Sequence, residues 1–229
     1  MINKRLTTQA AVCVLCSSLT ACGGGATGNG DSGLAIPPHN LTATRSDALG
    51  DTISGPGTRW DITAVRTTLV EGPFRNEYET LEVAVTFAQD VTNALPGPGQ
   101  TLIGKPDLLG VEIFLNIDGS DATGTTTFQC SSVPNLPGID AAVDSGGAGG
   151  RRADGSYPVV DANGYPQDEA SVSVSGKTVT YSINLAAWGA PATGIPRTRV
   201  AVAAYNGSTT GSAVTDCAPD SGTMSASGT

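Results

Sequence analysis

The sequence predicts an all-β fold, an antiparallel β-sandwich of about seven to eight strands over residues 58–222. Three observations carry this expectation. Apolar residues recur in short runs, several of them at period two. Turn-forming residues separate the runs, and glycine and proline are plentiful enough, at 30 and 14 residues, to supply them. No stretch sustains the i, i+3, i+4 pattern of a crossover helix, so successive strands connect by turns and run antiparallel.

Taken in order, Trp60, Ile62, Val65, Leu69 and Val70 lie in a β-rich run from Arg59 to Val70. Its alternation is imperfect, which marks a bulge or two-sided burial. Leu81, Val83, Val85 and Phe87 alternate strictly and share one face. Pro73 and the charged residues from Arg75 to Glu79 mark the connection between these two strands. Pro96-Gly97-Pro98-Gly99 breaks the chain, and Val111 to Ile117 forms a third strong strand. Thr127-Phe128-Gln129 and Ile139 to Val143 are weaker strands; residues 153–169 read as irregular. Ala170–Ser175 and Thr178–Leu185 form a hairpin around Gly176-Lys177. Leu185 to Trp188 fits one helical turn, stopped by Gly189 and Pro191, and Thr198 to Tyr205 is the last clear strand. The resulting sandwich is Ig-like or jelly-roll-like.

A different kind of segment precedes this domain. Lys4 and Arg5 lead into a mostly apolar stretch, Leu6 to Ala21. It is shorter than the roughly 20 apolar residues of a membrane span and has the length and flanks of a signal peptide. It ends in Leu19-Thr20-Ala21-Cys22, followed by Gly23, Gly24 and Gly25. This resembles the lipobox of bacterial lipoproteins. The resemblance implies that residues 1–21 are removed and that Cys22 carries a diacylglyceryl group and an amide-linked acyl chain such as palmitate. More than one chain anchors a protein stably to a membrane. Cys13 leaves too short a hydrophobic run before it, and Cys16 has Cys13 where the lipobox has Leu. Gly23, rather than Asp, implies by the same resemblance the outer membrane in a two-membrane cell. Residues 22–57, rich in Gly, Ser, Thr, Asp and Pro, read as the lipidated Cys and a flexible tether. Residues 223–229 read as a disordered tail.

With Cys22 taken by lipid, Cys130 and Cys217 remain as an even pair in an oxidising compartment, where a disulfide is the default. It would close a loop of about 87 residues, worth roughly 4–5 kcal/mol in the chain-entropy model.

Composition excludes several classes of function. The net charge of −9 becomes more negative once Lys4 and Arg5 are removed, which argues against nucleic-acid partners. The acidic balance suits extracellular solubility or binding of divalent cations. The single histidine, His39, lies in the tether, so a Ser–His or Cys–His dyad lacks a base and zinc lacks a ligand cluster. The Gly-rich run at 146–150 lacks the Lys-Ser/Thr of a phosphate-binding loop, so no nucleotide is expected.

Several pieces together resemble bacterial extracellular sandwich domains. They are Trp60-Asp61-Ile62-Thr63-Ala64-Val65, the strand Leu81 to Phe87, the segment Phe114 to Gly124 containing Asp118-Gly119-Ser120-Asp121, Gly138-Ile139-Asp140, and Thr215 to Gly222. The set is similar to the family 9 carbohydrate-binding modules and the DOMON-like sandwiches. The resemblance implies a non-catalytic binding module. Family 9 modules stack sugar on paired tryptophans, and here Trp60 and Trp188 are the only two. DOMON domains that hold haem use Met and His; His39 and Met224 fall in the tether and tail, so no haem is expected.

The candidate site is a Ca²⁺ site, because Ca²⁺ takes six to eight hard oxygen ligands. Asp118 and Asp121 flank a Gly-Ser turn directly after a strand, Asp140 follows, and Asp61, Asp216 and Asp220 close on them where first and last strands meet. The alternative is that Asp118, Gly119 and Asp121 form a turn in which the carboxylates cap backbone groups. Tyr205, at a strand end, is the candidate ligand-binding aromatic. The leading function is a lipid-anchored envelope module, binding or structural, with a glycan or an envelope protein as partner. The alternatives are a carboxylate-dependent glycan hydrolase, which needs two carboxylates in a cleft, and an inert spacer.

Overall fold

The computed structural model describes residues 39–52, 60–72, 77–126, 129–130, 133–134, 136–144, 150–189, 196–208, 211–220 and 222–228. The signal peptide, Cys22, most of the tether and the 146–149 part of the Gly-rich run lie outside them.

The described chain is all-β and antiparallel, with no α-helix among the described residues. Its strands are β1 (Leu41–Ser46), β2 (Ile62–Glu71), β3 (Tyr78–Phe87), β4 (Leu109–Asn116), β5 (Gln129–Cys130), β6 (Val133–Pro134), β7 (Ala141–Val143), β8 (Tyr157–Asp161), β9 (Pro166–Ser175), β10 (Thr178–Asn184), β11 (Arg199–Ser208), β12 (Gly211–Ala218) and β13 (Met224–Ser225). Eleven of them form one sheet, in the order β1-β2-β3-β10-β9-β8-β7-β4-β11-β12, with β13 also on β11; β5 and β6 pair separately. The expected seven or eight strands are therefore too few.

The strands read from strict alternation fall where the sequence puts them. In β3, Leu81, Val83, Val85 and Phe87 are all buried in the main core. The imperfect alternation of β2 is a real irregularity: its register against β3 shifts between Ile62 and Ala64. Gly176 takes the left-handed conformation, φ 57°, that a tight hairpin turn requires, and Thr178 pairs with Ser175 across it. The single helical turn is a 3-10 turn at Ala186–Trp188, ended by left-handed Gly189.

Five strands, one of them in part, depart from expectation. Leu41–Ser46, placed in the tether, pairs with β2 along its whole length. Tyr157–Asp161 and the first half of β9 occupy the stretch read as irregular. Pro158 and Pro166 obscured them, since proline cannot donate to a ladder. The β12 run Gly211–Ala218 is made mostly of small residues with no apolar period, and pairs with β11 all the same. Met224–Ser225, placed in the tail, pairs with Arg199 and Val200 of β11.

The sheet folds over on itself and nearly closes into a barrel. The β8–β9 hairpin joins its two halves. Ile62, Leu81, Val83 and Tyr181 from one half share one core with Val111, Ile113, Leu115, Val202 and Tyr157 from the other. At the open seam β12 packs against β2 without a backbone ladder between them. Side chains bridge it instead. The Ile62 N–H donates to Asp216 Oδ2 at 2.6 Å, Thr215 Oγ1 donates to the Trp60 carbonyl at 3.1 Å, and Thr67 Oγ1 donates to the Ala226 carbonyl at 3.0 Å. Each satisfies a backbone group that a regular ladder would have paired.

Candidate metal centre at the seam of the sheet

The seam gathers acidic side chains from both ends of the domain. Asp47 directly follows β1, and its N–H donates to the Thr63 carbonyl at 2.9 Å, which ties the β1–β2 connection to β2. Gly50 N–H donates to Asp61 Oδ2 at 3.0 Å and brings Asp51 towards the same place. Asp61 immediately precedes β2, Asp216 lies in β12, and Asp220 follows it. Carboxylate oxygens of Asp51, Asp61 and Asp216 lie within 4.8 Å of one another, and so do those of Asp47, Asp51 and Asp220. Two oxygens bonded to one Ca²⁺ at 2.3–2.6 Å lie at most about 5 Å apart, so either set spans an ion's ligand shell.

Burial and like charge raise the carboxyls of the cluster. Burial pushes the Asp47 carboxyl up to about 7, reinforced by the like charges of Asp220, Asp216, Asp51 and Asp61. Asp216 is also pushed up to about 7, first by burial and then by Asp51 and Asp61, although the Ile62 and Cys217 N–H groups favour its charged form. Asp51 is raised by burial and by its hydrogen bond with Asp220. Asp61 is 9% exposed, and its Oδ1 has no hydrogen-bond partner; Asp47 Oδ2 is likewise buried and unpartnered. Buried polar atoms are almost always paired, so two orphan carboxylate oxygens beside like charges are what a cation would satisfy.

The six aspartates named from sequence divide into two groups. Asp61, Asp216 and Asp220 meet at the seam. Asp118, Asp121 and Asp140 do not join them. Asn116, at the end of β4, pairs with Arg199, and Asp216 pairs with Ala204 five residues along β11; that is about 17 Å at roughly 3.4 Å per residue. At that distant end the carboxylates are engaged locally. Asp118 Oδ1 accepts from the Ser120 N–H at 2.7 Å and Oδ2 from Thr123 Oγ1 at 2.9 Å. Asp140 Oδ2 accepts from the Ile117 N–H at 2.7 Å, and Asp121 forms an ion pair with Arg199. For Asp118 this is turn chemistry; Asp140 and Asp121 tie the turn to partners 23 and 78 residues away. Gly138 serves the same turn: at φ 78°, a Cβ there would run into the Ser120 carbonyl and the Asn116 amide.

Asp47 and Asp51 escaped the sequence reading because they sit in the presumed tether. The available signal was Leu41-Thr42-Ala43-Thr44, a faint period-two run just ahead of them. Tyr205 is no open platform. Its hydroxyl donates to Glu112 Oε2 at 2.6 Å, and burial followed by the neighbouring charge of Glu112 raises its pKa. Trp60 is 2% exposed in the core and Trp188 packs half-buried against it, so the two do not form a paired stacking surface.

Comparison of the chain with protein-family models and with curated proteins gives no match. Fold and site together define an antiparallel all-β domain with an acidic cluster at its closing seam.

Proposed function

We propose that the chain is a lipid-anchored, non-catalytic binding or structural module of the bacterial cell envelope, its sandwich closed by one Ca²⁺ at the seam. The observation that carries the reading is the convergence of Asp51, Asp61 and Asp216 within 4.8 Å, with a buried, unpartnered oxygen on Asp61. An ion there joins the start of the domain to its last long strand. Ca²⁺ suits a cage of protein carboxylates better than Mg²⁺, which keeps several waters and demands octahedral geometry. The two halves of the sheet then act as the faces of the sandwich.

The glycosidase alternative is less well supported. Its carboxyl groups stand about 5–9.5 Å apart, with one free to act on substrate. Here the oxygens are closer, and Asp216 already accepts from Ile62 and Cys217 N–H groups. The buried Trp60 counts against stacking of sugar on paired tryptophans. A Cys130–Cys217 disulfide belongs to the same proposal. Its support is that β5, which bears Cys130, packs against β12, which bears Cys217; the Cys130 side chain lies outside the described residues.

Calorimetric titration of the purified full chain at pH 8 tests the metal. Ca²⁺ is expected to bind more tightly than Mg²⁺, and Asp51→Asn, an exposed position, to weaken Ca²⁺ at least tenfold. Unchanged affinity in that variant, or no binding at millimolar Ca²⁺, overturns the site. The anchor is tested by fractionating cells that express Cys22→Ser. The chain is expected to move from the membrane to the soluble fraction; if it stays with the membrane, Cys22 is not the lipid acceptor.

A further inference from the structure

A second site lies on the outer face of the sheet. On β4, Val111, Ile113 and Leu115 point into the main core, and Glu112 and Phe114 therefore point away from it. Phe114, Leu136, Ile139, Ala201, Ala203 and Cys217 form a smaller apolar cluster there, with Tyr205 packed against it. Beside this cluster opens a pocket of about 180 Å³, lined by Glu112, Phe114, Ile139, Ala141, Ala142 and Asp161 among others. The engineered cavity of roughly 150 Å³ that admits benzene is of similar size.

Glu112 is out of place in such surroundings unless it has a use. It is the only charged residue in the strand Leu109–Asn116. The Tyr205 hydroxyl holds its Oε2 at 2.6 Å and so fixes the carboxylate at the pocket wall. The charged groups that face the pair are acidic as well: Asp144, just after β7, acts on both Glu112 and Tyr205, and Asp161, from β8, lines the pocket. No Lys or Arg lines it among the described residues. The negative potential disfavours an anion. Two carboxylates, Glu112 and Asp161, the latter already accepting from the Asn163 and Tyr165 N–H groups, fall far short of the oxygen shell of a hard metal ion, and Phe114, Ile139 and Ala142 supply apolar wall beside them. What remains is a cation with an apolar body, which the carboxylate neutralises and the Phe114 ring and Ile139 can pack against.

We propose that this pocket binds a small organic ammonium ion, its nitrogen at the Glu112 carboxylate and its alkyl groups against Phe114 and Ile139. The site shares no residue with the acidic seam, so binding is expected to be the same in Ca²⁺ and in EDTA.

The test is titration of the full chain with choline and with its uncharged carbon isostere, 3,3-dimethylbutan-1-ol, followed by calorimetry. Choline is expected to bind at least tenfold more tightly. The Glu112 carboxyl is pushed up to about 7, by burial first and also by Asp144. A proton therefore competes with the ammonium ion, and affinity is expected to fall about tenfold from pH 8 to pH 6. Glu112→Gln, which keeps the shape and removes the charge, is expected to abolish the preference for choline. If that variant fails to fold, the isostere pair and the pH series on the unaltered chain still decide. Equal binding of choline and its isostere, affinity independent of pH, or no binding of choline in the millimolar range each overturns the proposal.

Discussion

Without metal, the domain is expected to melt at a higher temperature at pH 5 than at pH 8, and Ca²⁺ is expected to narrow that difference by stabilising mainly at pH 8. The reason lies in the folded-state pKa values. Asp47 and Asp216 are both pushed from 3.8 up to about 7, and Asp51 is raised as well. Between about pH 4 and 7 the folded chain therefore holds more protons than the unfolded chain, so stability falls as pH rises through that window and levels off above it. Glu112 and Asp140 are raised too and add to the same slope. The lowered carboxyls of Asp90, Asp154 and Asp161 act the other way, stabilising above their unfolded pKa of 3.8 and losing that contribution only as pH falls further. They leave the pH 5 to 8 range unaffected.

Ca²⁺ binds the ionised cluster and competes with its protons. At a hundredfold excess over Kd it stabilises by about 2.7 kcal/mol, worth roughly 5–10 °C in a domain of this size. The gain belongs to pH 8 and shrinks at pH 5. Thermal melts of the full chain at both pH values, in EDTA and in Ca²⁺, measure all four corners. The larger Ca²⁺ shift at pH 8 than at pH 5 is the diagnostic result, because Glu112 and Asp140 contribute to the metal-free slope but not to the Ca²⁺ response. A Ca²⁺ shift of equal size at both pH values would mean that the ion does not meet the titrating aspartates.

Trp60→Ala is expected to cost about 3–5 kcal/mol, the range for truncating a large buried aromatic. Trp60 is 2% exposed and packs in the main core. Its indole N–H donates to the Leu108 carbonyl at 3.3 Å, and its own carbonyl accepts from Thr215 across the seam. Truncation leaves a cavity beside the seam and the Leu108 carbonyl without that donor. Denaturant unfolding of the full chain measures the loss. Trp60→Phe, which keeps most of the apolar volume, is expected to recover a large part of it. A loss under about 1 kcal/mol, the scale of a surface substitution, would mean that Trp60 is not packed as described.

The parts of the fold legible in the sequence share one property: the information is local. Leu81, Val83, Val85 and Phe87 alternate, so their common face follows from the pleat of a strand alone. The Gly176-Lys177 turn follows from the left-handed conformation that glycine adopts without strain. The strands that went unread carry no such signal. β12 offers mainly small residues, and β1 has one large apolar residue, Leu41, in six. They are strands because a neighbour offers an unpaired edge, and that edge is invisible in the order of residues. Glu112 illustrates the limit from the other side. A lone acid in an apolar strand was visible, but the Tyr205 hydroxyl that fixes it lies 93 residues away.

By itself, the sequence determined the β class, the faces of the alternating strands and the surplus of acid, each a property of composition or of neighbours along the chain. Only the tertiary structure decided which strands pair, how the sheet nearly closes, and which aspartates meet. The Ile62 N–H and the Asp216 carboxylate are separated by 154 residues. The sheet's nearly closed shape brings them into contact, and Asp61, beside Ile62, comes with them. Asp118, in the more obvious turn motif, stays with its own backbone because a carboxylate finds N–H partners two residues away before it meets a distant strand, and Asp121 is held by Arg199 of β11 at that same far end.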